Sequence, residues 1–301
     1  MKRETFTAYD GKTISYAVWD EVESPKAVIQ IVHGMVEHIE RYADFASFMN
    51  LNDFIVAGDD HRAHGLTDPD ALGLAGEGDL FEDTVSDLLR LTDILKEKYG
   101  LPVIVLGHSY GSFLTQRYLT KDTSKIAGCI LSGSALQSPM TVKLGRRLAK
   151  GKLKKHKDDA GKMFANMTFK RYDKKFKSEG LNAWLSRDVE SVGKYNTDPK
   201  CDFMCSYGFY YYLFNGLNSI NNDDNSKIRK DLPLYIIAGE SDGVGGYGKL
   251  VVKLYEKFKR LGLSPELKLY ENARHELLNE TNREEVYSDV LAFIKSIPNL
   301  Q

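Results

Sequence analysis

Ser109 stands between two glycines in Gly107-His108-Ser109-Tyr110-Gly111, directly after the apolar run Val103–Leu106. The run is short and β-branched and reads as a buried strand, while Tyr110–Lys121 reads as a helix. A turn this sharp leaves no room for side chains beside the serine, which explains Gly107 and Gly111. It lifts a hydroxyl out of the sheet and aims a helix N-terminus at whatever bonds to it. That layout suits a nucleophile. A serine hydroxyl is too weakly acidic to attack an ester unaided, so it needs a base within hydrogen-bond reach and a carboxylate to orient that base.

In a strand-elbow-helix setting the partners follow in the order serine, acid, histidine. Only His156 and His275 come after Ser109. His156 sits in lysine-rich Lys150–Lys157, expected to be solvated. His275 follows a strand by a few residues and is the expected base. The acid should follow the strand before that one, Leu234–Ala238, which runs into Gly239-Glu240-Ser241-Asp242-Gly243. Glu240 and Asp242 compete. Asp242 lies further past the strand and has the reach; its alternative role is to cap the next helix. Two backbone N–H groups should bind an oxyanion. One is that of Tyr110, and the other that of Met35, after Gly34 in the loop following Ala27–Val32.

The elements that must hold these residues alternate. Thr5–Ala8 and Thr13–Trp19 flank an Asp10-Gly11 hairpin signal. Strand Ala27–Val32, a helix near Ile39–Leu51, strand Phe54–Gly58 and the amphipathic Asp79–Tyr99 lead to the serine strand. Ile126–Leu131 follows. This rhythm predicts an α/β fold with a mostly parallel sheet covered on both faces. It breaks at about Gln137 and resumes after about Lys227 with Leu234–Ala238, helix Tyr247–Leu261, strand Pro265–Tyr270 and helix Glu280–Ile297. Residues 1–136 and 228–301 therefore read as the core and 137–227 as a helical insertion, a cap over the C-terminal strand ends. Within it, Tyr207–Leu217 carries Phe209, Tyr210, Tyr211, Tyr212 and Phe214. These either pack the cap's own interior or line an apolar substrate channel; Phe209, Tyr210, Tyr211 and Phe214 are the candidate substrate contacts.

Other signals carry less. A formal net charge of -1 over 301 residues gives no global pull toward nucleic acid or membrane. Three cysteines argue against a disulfide framework and for a reducing compartment. Cys129 reads as core; Cys201 and Cys205 could share a helix face, but without a nearby histidine they make a poor metal site. No stretch resembles a signal peptide or a membrane span, so a cytoplasmic location is expected. Gly243-Val244-Gly245-Gly246-Tyr247-Gly248 matches a dinucleotide fingerprint with Glu271 downstream. However, Gly239–Asp242 separates it from its strand and too little chain remains for a dinucleotide sheet. His61-Arg62-Ala63-His64 lacks the Glu of a zinc motif and is expected in a loop at the sheet edge. Lys143, Arg146, Arg147, Lys150, Lys152, Lys154, Lys155 and Lys157 form either a solvated helix face or a weak contact for anionic headgroups.

Taken together these segments resemble the α/β-hydrolase family, in its monoacylglycerol lipase and lysophospholipase-like branch, which includes serine-aminopeptidase-type enzymes. Ile31-Val32-His33-Gly34 with Glu37-His38 and Arg41-Tyr42 is similar to that branch's oxyanion loop. Asp60-His61-Arg62-Ala63-His64-Gly65 resembles its D-x-R-G-H-G stretch, with Ala63 where glycine is usual. The elbow matches apart from Tyr110, where methionine is more usual. Leu185-Ser186-Arg187-Asp188 resembles its L-S-R-D motif, and Gly239–Asp242 and Ala273–Glu276 its acid and histidine loops. The resemblance implies hydrolysis of carboxylic esters, with monoacylglycerols or lysophospholipids as substrates and no cofactor. The rivals are a peptidase or amidase using the same triad and a non-catalytic ligand-binding protein on the same fold.

Overall fold

The computed structural model describes residues 1–222 and 224–298, with 169–171 described by their backbone alone. Eight strands form one sheet: β1 (Lys2–Thr7), β2 (Thr13–Trp19), β3 (Ala27–Val32), β4 (Phe54–Asp59), β5 (Val103–His108), β6 (Gly128–Ser132), β7 (Leu234–Gly239) and β8 (Glu266–Tyr270). Their spatial order is β1-β2-β4-β3-β5-β6-β7-β8. The β1–β2 and β2–β4 pairings are antiparallel, and every pairing from β4 to β8 is parallel. The helices are α1 (Ala43–Asn50), α2 (Leu80–Tyr99), α3 (Tyr110–Lys121), α4 (Pro139–His156), α5 (Lys162–Phe176), α6 (Val189–Thr197), α7 (Tyr207–Asn222), α8 (Lys249–Arg260) and α9 (Arg283–Ser296).

Strands β3 to β7 are buried along their whole length because helices cover both faces. The two-residue period sorts alternate side chains to opposite layers. Ile29, Ile31, Ile104 and Leu106 join Phe45, Met49, Val290 and Ile294 from α1 and α9. Val32 and Val105 join Leu88, Leu114 and Tyr118 from α2 and α3 on the other side. Helix α2 starts where the Asp79 carboxylate accepts the Glu82 N–H at 3.2 Å and stops at Gly100, in the left-handed conformation.

Between β6 and β7 the described chain forms α4 to α7 with a single isolated bridge, Ala160 to Ser206, and no strand. Helix α4 buries Val142, Gly145 and Ala149. A Cβ at Gly145 would press on the Phe214 ring of α7, which sets how closely those helices approach. Cys201 and Cys205 lie in the loop between α6 and α7, not on a shared helix face. Among the described residues no helix is long and apolar enough to cross a membrane.

Candidate active site

Every parallel strand points its C-terminal end the same way, so the loops after β3, β4, β5, β7 and β8 meet. The β5–α3 turn holds Ser109 at φ 52° and ψ −118°, a strained conformation for a residue with a side chain. It persists because the surroundings dictate it. Ser109 N–H donates to the Ser132 carbonyl at 3.0 Å, and Ser112 Oγ donates to the Ser109 carbonyl at 2.5 Å. A Cβ at Gly111 would overlap the carbonyls of Val32 and His33, and one at Gly107 would meet Thr115 and the Gly111 carbonyl. Only glycine permits this packing of α3 against β3.

The Ser109 hydroxyl lies 2.8 Å from His275 Nε2. On the far side of the ring, Nδ1 is 3.0 Å from Asp242 Oδ1, close enough for an ion pair but off the axis of a well-formed hydrogen bond. Asp242 is fully buried, and its Oδ1 accepts the Val244 N–H at 2.8 Å. The glycine run curls around this carboxylate, with Tyr247 N–H returning to the Asp242 carbonyl at 2.8 Å and Gly246 N–H to Gly243 at 3.1 Å. Glu240, the competing acid, is exposed. Burial alone would push the His275 pKa down; the charge of Asp242 outweighs it, and the net shift is upward. The neighbouring His108, 4.8 Å away ring to ring, is held neutral by burial, its pKa lowered to about 3. Trp184 covers the His275 ring from the α5–α6 connection, centroids 5.1 Å apart.

The loop after β3 brings Gly34 and Met35 to the same end. Among the described residues, neither the Met35 N–H nor the Tyr110 N–H donates to any protein acceptor. They are two orphan donors, the second at the first position of α3. The loop is tightly held. Val36 has φ 57°, unusual for a β-branched residue. Its N–H donates to His64 Nε2 at 3.2 Å and its carbonyl accepts the Asp202 N–H at 3.0 Å. His33 and His61 stack at 3.8 Å, and His64 lies 5.2 Å from His33. Burial lowers the pKa of His64 to about 3, keeping it neutral and able to accept. His61 and His64 are therefore fully buried props at the end of β4, which lies inside the sheet and not at its edge.

Beneath this loop runs an ion network that residue-by-residue reading left without a role. Glu37 accepts the Gly34 N–H and pairs with Arg41, which grips both oxygens of Glu276 at 2.6 Å. Arg41 also lies 4.8 Å over the Tyr195 ring. The Gly34–Glu37 loop and the residue after His275 thus share one arginine. Leu185–Asp188 does similar work from the α5–α6 connection. Glu276 N–H donates to the Leu185 carbonyl at 2.7 Å, Ser186 Oγ to the Asn279 carbonyl at 2.8 Å, and Arg187 Nε to Glu280 at 2.9 Å. Separations of 91 to 93 residues hide such pairs from any local pattern.

Of the aromatic candidates, Phe209 and Tyr210 are fully buried while Tyr211 and Phe214 are half-buried. Phe209 packs 5.5 Å from Tyr110 and 5.8 Å from His64, and Phe214 packs 5.4 Å from Phe164. The arrangement as a whole offers a hydroxyl, a base with a raised pKa, a buried carboxylate and two free donors. Those are the parts acyl transfer requires.

The family described as serine aminopeptidase, S33, matches residues 23–282. The monoglyceride lipase of Mus musculus is 27% identical over 290 residues, covering 95% of this chain and 87% of that protein. The monoacylglycerol lipase of Mycolicibacterium smegmatis is 27% identical over 301 residues, covering 97% and 96%. The crystal structure of a thermostable carboxyl esterase from Bacillus coagulans, in complex with glycerol, superposes with a TM-score of 0.90 at 26% identity, covering 98% of each chain. The chain belongs to the serine aminopeptidase S33 family and is a serine hydrolase of the monoacylglycerol lipase-like branch of the α/β-hydrolases.

Proposed function

We propose that this hydrolase cleaves the carboxylic esters of single-chain lipids, monoacylglycerols or lysophospholipids, through Ser109, His275 and Asp242. The observation that carries the reading is the 2.8 Å contact from Ser109 Oγ to His275 Nε2, with buried Asp242 behind the ring. His275 takes the Ser109 proton as Oγ attacks the acyl carbonyl. The carbonyl oxygen, now negative, takes hydrogen bonds from the Met35 and Tyr110 N–H groups. Asp242 holds the ring with Nδ1 protonated and stabilises the imidazolium. His275 then gives its proton to the departing alcohol, leaving an acyl-Ser109 ester. Water, deprotonated by His275, releases the fatty acid and restores the hydroxyl. No step calls for a cofactor.

The segment 137–227 acts as a cap over this centre, and its aromatic interior, including Tyr211 and Phe214, takes the acyl chain. Its outer face supports a lipid substrate. Met140, Leu144 and Leu148 on α4 are exposed at a spacing of four residues, among Lys143, Arg147, Lys150 and Lys154. An apolar stripe bordered by cations suits an anionic lipid surface. A panel of monoacylglycerols, lysophospholipids, p-nitrophenyl esters and aminoacyl anilides tests the reading, run beside fluorophosphonate labelling of Ser109. Turnover should favour the acylglycerols or lysophospholipids. Preference for the anilides would replace it with a peptidase, and absence of labelling with a binding protein.

A further inference from the structure

Three metal-grade donors meet just outside this centre. His38, Asp198 and Cys201 bring a ring nitrogen, a carboxylate oxygen and a thiol sulfur within 4.8 Å of one another. The thiol sits in the turn after α6, where Cys201 N–H donates to the Asp198 carbonyl at 2.9 Å. The histidine arrives from 160 residues upstream, with Nε2 2.8 Å from Asp198 Oδ2. Asp198 Oδ1 is already taken by the Lys200 N–H at 2.8 Å, so Oδ2 is the oxygen that faces inward. Residues His38 and Cys201 are 3% and 6% exposed. The more open Asp198 side chain leaves an entry path.

We propose that these three residues bind one divalent ion of the zinc class, and that the ion slows ester cleavage by clamping the oxyanion loop. Nitrogen, oxygen and thiolate sulfur together suit a borderline-soft ion, not magnesium or calcium. In a tetrahedral site with bonds of about 2.0–2.3 Å, ligand atoms stand roughly 3.3–3.8 Å apart. The His38–Asp198 contact must open by about half an ångström and Cys201 must move inward by up to about one, as the known bond lengths require. A fourth position is left for water.

The proton balance is defined. Burial holds the Cys201 thiol well above its ordinary pKa, so without metal it stays protonated. Asp198 lies below the usual carboxylate range: burial opposes this, but the Lys200 N–H and His38 prevail. Being ionised, it can only accept, so His38 must donate from Nε2. Metal binding forms an M–S bond, releases the thiol proton to solvent and moves the His38 N–H from Nε2 to Nδ1. That nitrogen is buried and without a hydrogen bond, 3.7 Å from Glu40 Oε2. A carboxylate there is what the second ring nitrogen of a ligating histidine ordinarily meets. The nearby cations do not stand unopposed, since Lys200 pairs with Glu40 at 2.7 Å and Arg41 with Glu37 and Glu276.

The link to turnover rests on the proposed catalytic reading; the metal site itself does not. His38 follows Glu37, which holds the Gly34 N–H, and Asp202 in the same turn holds the Val36 carbonyl. Drawing His38 toward Cys201 therefore pulls directly on the loop that presents Met35. A shift on the order of 1 Å at such a group can cost about 100-fold in rate.

Titrate the full-length protein with cobalt(II) and zinc(II). Cobalt should produce a thiolate-to-metal charge-transfer band saturating at one ion per chain, with one proton released per ion. Zinc should displace it, and chelator should restore the starting state. The band should vanish in Cys201→Ser and persist in Cys129→Ser, Cys205→Ser and the inactive Ser109→Ala. Glu40→Gln should weaken binding about tenfold. Soluble-ester turnover should fall with zinc in the wild type, while Cys201→Ser keeps its basal rate and loses the inhibition. A missing band, or binding unchanged in Cys201→Ser and Asp198→Asn, overturns the site. A band with unchanged turnover overturns the clamp and keeps the site.

Discussion

The sheet core and the α4–α7 segment are built on opposite principles. Strands β3 to β7 expose nothing, and the loops after β5 and β7 hold Ser109 and Asp242 through buried contacts, while buried His275 follows the partly exposed edge strand β8. The α4–α7 segment places Met140, Leu144, Leu148, Met167, Leu181, Val189 and Met204 in solvent, seven of the fourteen large apolar side chains exposed among the described residues. It makes up less than a third of the chain, so the excess is local. A group that must be positioned to a fraction of an ångström belongs on rigid, doubly covered elements. A surface that must meet apolar substrate can leave apolar side chains uncovered, at a cost in solubility. The two regions meet where Trp184 covers His275 and where Leu185–Asp188 is bonded to the histidine loop.

The sharpest way to break this division is at the elbow. Ser109→Ala should lower kcat by about 10⁴- to 10⁶-fold with an unchanged melting temperature, because the turn already excludes larger side chains. Residual turnover within tenfold of wild type would place the chemistry elsewhere, and loss of the fold would overturn the account of the elbow. Asp242→Asn should cost about 10⁴-fold by admitting the wrong histidine tautomer. Glu240→Gln, at an exposed carboxylate, should leave kcat within a factor of two or so of wild type. If the two variants behave alike, the acid is misassigned.

The buried network beneath the loop should show itself in stability. Arg41→Met leaves Glu37 and Glu276 buried and unpaired, at a cost of about 3–5 kcal/mol by denaturant unfolding. A change below about 1 kcal/mol would mean water reaches those carboxylates and the loops are not tied as described.

The pH profile sharpens the comparison further. His275 must be neutral to accept a proton, and the folded protein raises its pKa. The acid limb of kcat/KM for a soluble ester should therefore lie above about 6.5, with activity rising as pH rises through it. A limb below that value would mean burial prevails over Asp242. His64 and His108, with pKa values near 3, should add no second limb in this range.

The smallest effect belongs to the outer face. Leu144→Glu with Leu148→Glu should reduce turnover on anionic vesicles by about tenfold per leucine and leave soluble esters untouched. Equal loss on both substrates would mean that the stripe packs against something in the folded enzyme.

What the residues alone determined is local. The glycines around Ser109 mark a turn that excludes side chains, and the uninterrupted apolar strands mark a doubly covered parallel sheet. Helix α3 was legible to its last residue because a strand, a glycine-flanked elbow and a helical run are contiguous, although it is buried all round and carries no exposed polar face. Tertiary structure decided everything that depends on separation. Asp242 rather than Glu240 reaches His275 because the glycine run bends the backbone around the carboxylate. Arg41 meets Glu276 across 235 residues, and His38 meets Cys201 across more than 160. Cys201 has no histidine near it in sequence, but His38 lies near it in space. Short-range patterns record which element forms, since hydrogen bonding and burial period repeat every two or four residues. Which loops come together around a shared ion pair or a buried cluster of side chains is set by the sheet order, and that order is decided only when the hydrophobic layers close.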